Sequence, residues 1–491
     1  MIGLLGVVLA VTGLIHLYLW KRLVRDPLRK GLARRLGTAA VVLLALLVPT
    51  TLIGTRAGFG KWLAWPGYLW LALMFYLLVI LAALEIPRLI ANLWIRARSR
   101  SEPDSNSAAN VGASASGDSS ASVGVGVKGD SGAGASASGD SSASVGVGVK
   151  GDSGAGAGAS GDSSASVGVG VGSGASSGAG ASAGADSGAG VSVGDVAPSS
   201  RGGSDASAPS EALMPEARGV ERRLLLARGA AIFAGLTAAG ITGYGVKTAL
   251  GGPRLDRVQL PLAKLPRAMD GTRLAVVSDI HLGPLTGVRH TERIVELINS
   301  VNADIVCIVG DLVDGNVAEL GKAAAPLAGI QARRGAYFVT GNHEYYSGFQ
   351  EWMAEVARLG VRPLRNERLE LDGLDLAGVN DLGGVEVGDG PDFERALGDR
   401  DPARPVVLMA HQPLAARDAA PYGVDLQVSG HTHGGQMAPF NLLVKLEQPV
   451  VSGLGKVDGV PVYVTNGAGF WGPPVRVGAP PQVSVIDLRT P

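Results

Sequence analysis

Three uncharged apolar stretches in the first hundred residues constrain the fold most strongly. They cover residues 2–20, 36–55 and 62–84 and are 19, 20 and 23 residues long. About 20 apolar residues are enough for a helix to cross the hydrocarbon core of a bilayer. Buried helices of a globular core are the alternative, but three such runs without a charge favour membrane spans. A weaker run, rich in Gly and Ala, at residues 229–246 predicts a fourth span.

Basic residues around these runs predict their orientation. Residues 21–35 contain seven Lys and Arg against a single Asp, whereas the next connection contains only Arg56 and Lys61. The positive-inside rule therefore places residues 21–35 in the cytoplasm. Four arginines also precede the fourth run, so the rest of the chain is predicted to emerge outside. We expect a multi-pass membrane protein with an extracytoplasmic C-terminal domain.

The pair Arg222-Arg223 has a second interpretation. Three leucines and the fourth apolar run follow it, as in a twin-arginine export signal. Arginines that simply flank a membrane span explain the pair equally well. No convincing cleavage site follows the run.

Residues 101–210 have low complexity and consist mostly of Gly, Ser, Ala, Val and Asp. A 22-residue unit beginning GDSSASVGVGVKGDSGAG starts at Gly117 and again at Gly139. The unit contains no Leu, Ile or aromatic residue that could form a core, so it predicts a disordered linker. Its end-to-end span would be on the order of 60 Å. A sticky or elastic role of the VGVGV stretches is the alternative.

Four segments follow from these patterns. Residues 1–100 are predicted to form three transmembrane helices, residues 101–210 the linker, residues 211–252 a fourth transmembrane helix or signal anchor, and residues 253–491 a globular domain.

The formal net charge is zero, with 43 basic and 43 acidic residues, which excludes a strongly basic nucleic-acid binder. The one cysteine, Cys307, excludes an internal disulfide and a cysteine-based zinc site.

Residues 253–491 alternate between short apolar runs and helical patterns. This alternation predicts an α/β fold whose strands are buried on both faces. Cys307 falls within one of the strands, where a buried and inert thiol is expected. The predicted strands are residues 273–278, 304–309, 336–340, 405–410 and 425–429, and the predicted helices are residues 291–301, 349–359 and 392–397.

Polar residues follow each predicted strand, and five of the seven histidines lie there. Because ligands gather at the carboxyl ends of strands in such sheets, we expect these side chains to form one site. Imidazole, carboxylate and amide ligands without cysteine suit manganese, iron, zinc or magnesium. The segments are Asp279-Ile280-His281, Gly310-Asp311-Leu312-Val313-Asp314, Gly341-Asn342-His343-Glu344, His411 and Gly430-His431-Thr432-His433.

This order of motifs resembles the calcineurin-like metallophosphoesterases over roughly residues 273–435. The runs GHTHGGQ, GNHEYYSG and GFWGPPVRVGAPP are similar to those of membrane-anchored bacterial phosphohydrolases in that superfamily. The resemblance implies a four-layer αββα sandwich and two divalent metal ions. It implies a first metal held by Asp279, His281, Asp311 and His433, and a second held by Asp311, Asn342, His411 and His431.

The resemblance also implies roles for other residues. His343 would be the general acid that protonates the leaving oxygen, or it would only support the neighbouring metal ligands. Asp314 would orient His343, or it would be an ordinary turn residue. Glu344 is expected to support the metal ligands without binding a metal itself. Arg476 and Asn466 flank a loop near the site, and Arg476 is either a phosphate-binding residue or an ordinary surface arginine.

The predicted function is hydrolysis of a phosphate ester or pyrophosphate by a hydroxide held between two metals. The short distance to the fourth span favours a phosphorylated envelope or lipid substrate, and no nucleic-acid partner is expected. A non-enzymatic membrane sensor or scaffold, and an enzyme for extracellular nucleotides, are the alternatives. The complete set of seven ligand positions favours the enzyme, while substrate, metal and oligomeric state stay open.

Overall fold

A computed structural model describes residues 2–56, 60–101 and 214–491. The predicted linker, residues 101–210, lies outside the described residues apart from residue 101. Three helices of the described part are long and apolar enough to cross a membrane, and they contain the second, third and fourth apolar runs. The first run also forms a helix. The four long helices are α1 (Ile2–Trp20), α2 (Leu32–Arg56), α3 (Ala64–Ser101) and α4 (Met214–Leu250).

Small side chains bring α3 and α4 close together. Ala72 on α3 and Ala234 and Ala238 on α4 are fully buried in one apolar cluster, as is typical of packed membrane helices. Arg228 of α4 donates a hydrogen bond to the carbonyl oxygen of Pro27 (3.0 Å). The two basic segments therefore lie at the same end of the helices, as the predicted orientation requires.

The rest of the chain contains twelve described strands in two six-stranded sheets. Sheet one has the order β1-β12-β2-β3-β4-β5, and sheet two has the order β10-β11-β9-β8-β7-β6. The strands are β1 (Arg254–Pro261), β2 (Arg273–Val277), β3 (Ile305–Val309), β4 (Ala336–Val339), β5 (Arg362–Pro363), β6 (Glu367–Leu371), β7 (Leu374–Gly378), β8 (Val406–Met409), β9 (Leu426–Ser429), β10 (Gly453–Val457), β11 (Val460–Val464) and β12 (Gln482–Arg489).

The two sheets pack face to face with helices on both outer faces. Leu274 and Cys307 of sheet one meet Leu376 and Val407 of sheet two in the central core. Burial raises the pKa of the Cys307 thiol to about 12, so this thiol is inert as expected. The helices are α5 (Val288–Ser300), α6 (Val317–Ala324), α7 (Asn342–Tyr346), α8 (Phe349–Arg358), α9 (Phe393–Leu397), α10 (Ala416–Ala419) and α11 (Asn441–Glu447).

The predicted αββα sandwich is confirmed. Helices α5 and α8 contribute to the apolar core on the outer face of sheet one, and α9 and α10 contribute to the core on that of sheet two. All five predicted strands and all three predicted helices are present, with ends that differ from the prediction by at most three residues. Within each sheet, β2–β3–β4 and β7–β8–β9 run parallel. Their carboxyl ends form the edge that carries the polar segments.

Candidate metal centre

Five strands deliver the predicted ligands to one edge of the sandwich. In sheet one, β2, β3 and β4 are followed by Asp279, Asp311 and Asn342. In sheet two, β8 and β9 are followed by His411 and His431. The seven predicted ligand residues thus come from both sheets and meet where the sheets converge.

The backbone is strained at most of these positions. Asp279, His281, Asp311, His431 and His433 all have positive φ, between 47° and 70°. Such a conformation costs a residue other than glycine about 1–3 kcal/mol and usually persists where function requires it. Left-handed turns here point the side chains inward, directly after each strand.

Two glycines allow the ligand loops to approach one another. A Cβ atom on Gly341 would lie 2.3 Å from Oδ1 of Asp311, and one on Gly430 would lie 2.4 Å from Oδ2 of Asp279. Both distances are far below van der Waals contact. Any side chain at either position would push a predicted ligand out of place.

The first cluster consists of Asp279, His281 and His433, with Asp311 beside it. Nε2 of His281 lies 3.0 Å from Nε2 of His433. Nε2 of His433 lies 3.3 Å from Oδ1 of Asp279, and Nε2 of His281 lies 3.7 Å from Oδ2 of Asp311. These donor atoms converge on one point.

The second cluster shares Asp311 with the first. Nε2 of His411 lies 3.2 Å from Oδ2 of Asp311. Nδ1 of His431 lies 3.1 Å from Oδ1 of Asn342 and 3.3 Å from Nε2 of His411. The oxygen Oδ2 of Asp311 therefore faces both clusters, which is the position of a bridging ligand.

The chemistry of the donor set fits divalent cations. Burial and the neighbouring His411 lower the pKa of His431 to about 3, and burial and the Arg476 cation lower that of His433, so both rings stay neutral. Neutral imidazole is the form that binds metal. His411 differs from these two rings. Burial lowers the pKa of His411, but the nearby Asp311 carboxylate has the larger effect, so the pKa is raised. A cation beside Asp311 would compete with that proton.

His343 and Asp314 form a separate pair at the edge of the site. Nδ1 of His343 lies 2.6 Å from Oδ1 of Asp314, which also lies 3.0 Å from Nδ1 of His281. Burial opposes protonation, but Asp311 and Asp314 outweigh it and raise the pKa of His343 to about 9. The ring nitrogen opposite Asp314 is thus protonated at neutral pH, as a general acid requires.

Glu344 links the two loops that carry Asp311 and Asn342. It is fully buried, and its carboxylate accepts hydrogen bonds from the backbone amides of Gly341 (2.6 Å), Asp311 (3.0 Å) and Leu312 (2.8 Å). The Glu344 carboxylate is thus used up by the backbone of the ligand loops, so it supports the ligands, as expected.

Asp381 is a site residue that the sequence analysis missed. It is buried beyond β7, and its carboxylate accepts hydrogen bonds from the side chain of Gln412 (3.1 Å), next to His411, and from the backbone of Gly383 (2.7 Å). A Cβ on Gly383 would lie 3.0 Å from that of Asn342. The run LDLAGV, which is apolar apart from Asp375, precedes Asn380 and Asp381 and is the pattern that could have revealed it.

The position of Arg476 contradicts the substrate-binding role considered for it. The side chain is fully buried beneath the site, where its guanidinium donates to the carbonyl oxygens of Gly469 and His433 and to Nδ1 of His433 (3.1 Å). Asn466 is likewise engaged, by Ser452 (2.7 Å) and Gln482 (3.0 Å). The N–H groups of Arg476 are all engaged within the protein, so none is left for a substrate.

Arg476 connects the site to the membrane helices. Its backbone amide donates to the carbonyl oxygen of Gly245 on α4 (3.0 Å), and the adjacent Val475 is buried in the same apolar cluster as Ala72 and Ala234. The loop thus rests on the membrane helices and supports His433 from below.

We predict that Arg476→Ala weakens metal binding by about 10- to 100-fold, because partners that orient a ligand typically contribute that much. Arg476→Lys should recover little, since an ammonium cannot replace the planar fork. Isothermal titration of metal-free protein with Mn²⁺ measures the effect, with the exposed Arg358→Ala as the matched control. Unchanged affinity in Arg476→Ala would show that His433 holds its position without this support.

Comparison with known proteins agrees with this geometry. A family model described as calcineurin-like phosphoesterase matches residues 272–435. A transmembrane protein with metallophosphoesterase domain from Danio rerio is 40% identical over 261 residues, which cover 50% of this chain and 60% of the relative. An uncharacterized metallophosphoesterase of Helicobacter pylori is 37% identical over 239 residues, covering 48% of this chain and 64% of the relative.

The chain therefore spans less than two thirds of these two relatives. An uncharacterized metallophosphoesterase of Aquifex aeolicus is 33% identical over 243 residues, covering 48% of this chain but 92% of the relative. The similarity thus extends over nearly the whole of that protein. The chain belongs to the calcineurin-like phosphoesterase family.

Proposed function

We propose that this protein is a membrane-anchored, metal-dependent phosphohydrolase that cleaves a phosphate ester or pyrophosphate. The observation that carries the proposal is the pair of donor clusters that share Asp311. One carboxylate between two cation sites fits phosphoryl transfer, where two cations act on the attacking and leaving oxygens.

Seven residues would hold the two metals. Asp279, His281, Asp311 and His433 surround the first position, and Asp311, Asn342, His411 and His431 surround the second. When bound, two divalent ions supply Lewis acidity and lower the pKa of a bound water. Asn342 contributes a neutral oxygen, so the loaded site keeps the positive charge that an anionic substrate requires.

The remaining chemistry belongs to His343 and Asp314. The leaving oxygen needs a proton, and the ring nitrogen of His343 that points away from Asp314 can donate it. Asp314 fixes the ring through the 2.6 Å contact at Nδ1. Because Asp314 also contacts His281, the acid and a metal ligand are oriented by one carboxylate.

The arrangement of the helices supports an envelope or lipid substrate. Lys61, in the connection between α2 and α3, forms a 3.2 Å ion pair with Glu319 of the sandwich. The sandwich therefore lies against the ends of the helices opposite the basic segments. If those segments are cytoplasmic, the site lies outside the cytoplasm and next to the bilayer surface.

Labelling of single cysteines tests this sidedness. We predict that an impermeant maleimide modifies Lys61→Cys in intact cells but modifies Lys30→Cys only after permeabilisation. Both positions are exposed, and the native Cys307 is fully buried, so it contributes little background. The reverse labelling pattern would place the site in the cytoplasm and remove the support for an envelope substrate.

The proposed activity is tested with the full-length protein in detergent. It is depleted of metal, loaded in turn with Mn²⁺, Fe²⁺, Zn²⁺ or Mg²⁺, and assayed on nitrophenyl monoesters, nitrophenyl diesters and lipid phosphates. We expect turnover with at least one metal, and none in Asp311→Ala. Stoichiometric metal binding without turnover of any phosphate ester would instead support a metal-dependent sensor or scaffold.

A further inference from the structure

A cavity of about 610 Å³ in front of His343 is closed on one side by the membrane helices. His343, Asp314 and Trp471 line it from the sandwich. Thr55 and Arg56, at the end of α2, and Tyr68, in the first turns of α3, line the opposite wall. The sandwich alone would leave this side of the cavity open.

Specific contacts hold the two walls together. Within the helical wall, the hydroxyl of Tyr68 lies 3.2 Å from Oγ1 of Thr55, which joins α3 to α2; the contacts to the sandwich come from Tyr68 and Lys61. Gly472 lies against the ring of Tyr68, because a Cβ there would be 3.7 Å from the ring. Glu319, which also lines the cavity, pairs with Lys61. The helix ends are therefore part of the cavity and do not merely lie near it.

Arg56 is the one arginine or lysine among the described residues that line the cavity. Its guanidinium lies over the ring of Tyr346, 5.9 Å from the centre, and no ion pair to it occurs within the described ranges 2–56, 60–101 and 214–491. The ring of Tyr346 is in turn 5.8 Å from that of His343. Arg56 thus places a cation without an ion-pair partner among the described residues on the side of His343, in a cavity that Glu351 also lines.

This position relates Arg56 to the leaving group. His343 would protonate the leaving oxygen, so the part of the substrate that extends past Tyr346 towards Arg56 belongs to the leaving group. Trp62 and Trp65 are 74% and 46% exposed beside this wall. Tryptophans at helix ends mark the level of a membrane interface. An apolar chain on the same leaving group can therefore remain in the bilayer.

We propose that Arg56 forms a substrate subsite for lipid-linked phosphates whose leaving group carries a negative charge, a lipid diphosphate being the simplest. This inference rests on the proposed function. Water adds to the terminal phosphorus, the bond from that phosphorus to the bridging oxygen breaks, and His343 protonates the bridging oxygen. The products are inorganic phosphate and the lipid monophosphate, whose charge Arg56 neutralises.

The test compares three substrates with the full-length, metal-loaded protein. Farnesyl diphosphate has a charged leaving group, farnesyl monophosphate has an uncharged one, and nitrophenyl phosphate lacks the chain. In Arg56→Ala, kcat/KM for the diphosphate should fall about 10- to 100-fold, as expected for loss of a charge-assisted contact. The other two substrates should change little. Arg56→Lys should restore part of the loss.

The matched control is Arg35→Ala, an exposed arginine near the opposite end of α2. It should leave all three substrates unchanged. An equal loss on every substrate in Arg56→Ala, or no loss on any, would overturn the subsite. Wild-type protein that hydrolyses nitrophenyl phosphate but neither farnesyl compound would also overturn it, while the proposed function would stand.

A binding measurement separates the subsite from the activity. Calorimetry with the non-hydrolysable methylene-bridged analogue of farnesyl diphosphate should give a Kd about tenfold or more weaker for Arg56→Ala than for Arg35→Ala. If no phosphate ester is turned over but this difference holds, the proposed function fails, and Arg56 remains only a binding site for lipid-linked phosphates. Equal Kd values for the two variants would overturn the subsite whatever the activity.

Discussion

Replacing Asp311 with alanine is expected to abolish turnover and remove metal from both clusters. Its Oδ2 atom faces His411 at 3.2 Å and His281 at 3.7 Å, so one side chain serves both positions. We expect a fall in rate of about 10³-fold or more, because several kcal/mol of charge stabilisation are lost. Metal analysis after dialysis and the rate on nitrophenyl phosphate measure the two effects.

Asp311→Asn separates charge from folding. The amide keeps an oxygen that can accept the hydrogen bond from the backbone N–H of His343 (2.9 Å), but it removes the negative charge. It should therefore lose metal and activity with a melting temperature close to that of the wild type. The exposed Asp399→Ala is the matched control. Two equivalents of metal and a normal rate in either Asp311 variant would contradict the bridging role.

Replacing His343 with alanine is expected to lower the rate by about 10²–10⁴-fold, the usual contribution of a general acid, while metal binding is retained. The side chain contacts Asp314 and is not one of the seven donors that converge on the clusters. The loss should be larger for a poor leaving group, such as an alkyl alcohol, than for nitrophenolate, which needs little protonation. A series of phosphate esters with leaving groups of different pKa measures this dependence.

Two further variants distinguish an acid from a structural residue. Asp314→Asn should lower the rate less than His343→Ala but with the same dependence on the leaving group, because Asp314 only orients the ring. His290→Gln, which changes the one sandwich histidine outside the site, should show no such dependence. An equal loss for good and poor leaving groups in His343→Ala would count against the acid.

The sequence predicts the central strands because their apolar runs are continuous and each ends in a polar turn. It does not predict β12, which comes from the end of the chain and inserts between β1 and β2. That placement depends on pairing across more than two hundred residues, such as Val276 with Ser484, which no local pattern encodes. The short strand β5 is missed because two residues are too few to show an alternation of apolar and polar positions.

In the site, too, residues with a local sequence pattern are predicted and residues placed by long-range contacts are not. The seven predicted ligands each follow a strand directly, so strand order alone brings them together. Arg476 is different, because its role depends on a loop that returns beneath His433 and rests on α4. Arg56 lies at a helix end far from every motif, and only the packing of the helices on the sandwich places it beside the cavity. Such contacts are set by tertiary structure.

A manganese titration tests most directly the claim that two metals share Asp311. Metal-free protein is titrated with Mn²⁺ while turnover and the electron paramagnetic resonance spectrum are followed together. We expect two equivalents to bind, activity to appear with the second, and the spectrum to show a spin-coupled pair that is absent from Asp311→Asn. Full activity without metal or with one equivalent, or two manganese ions with no magnetic coupling, would contradict the account.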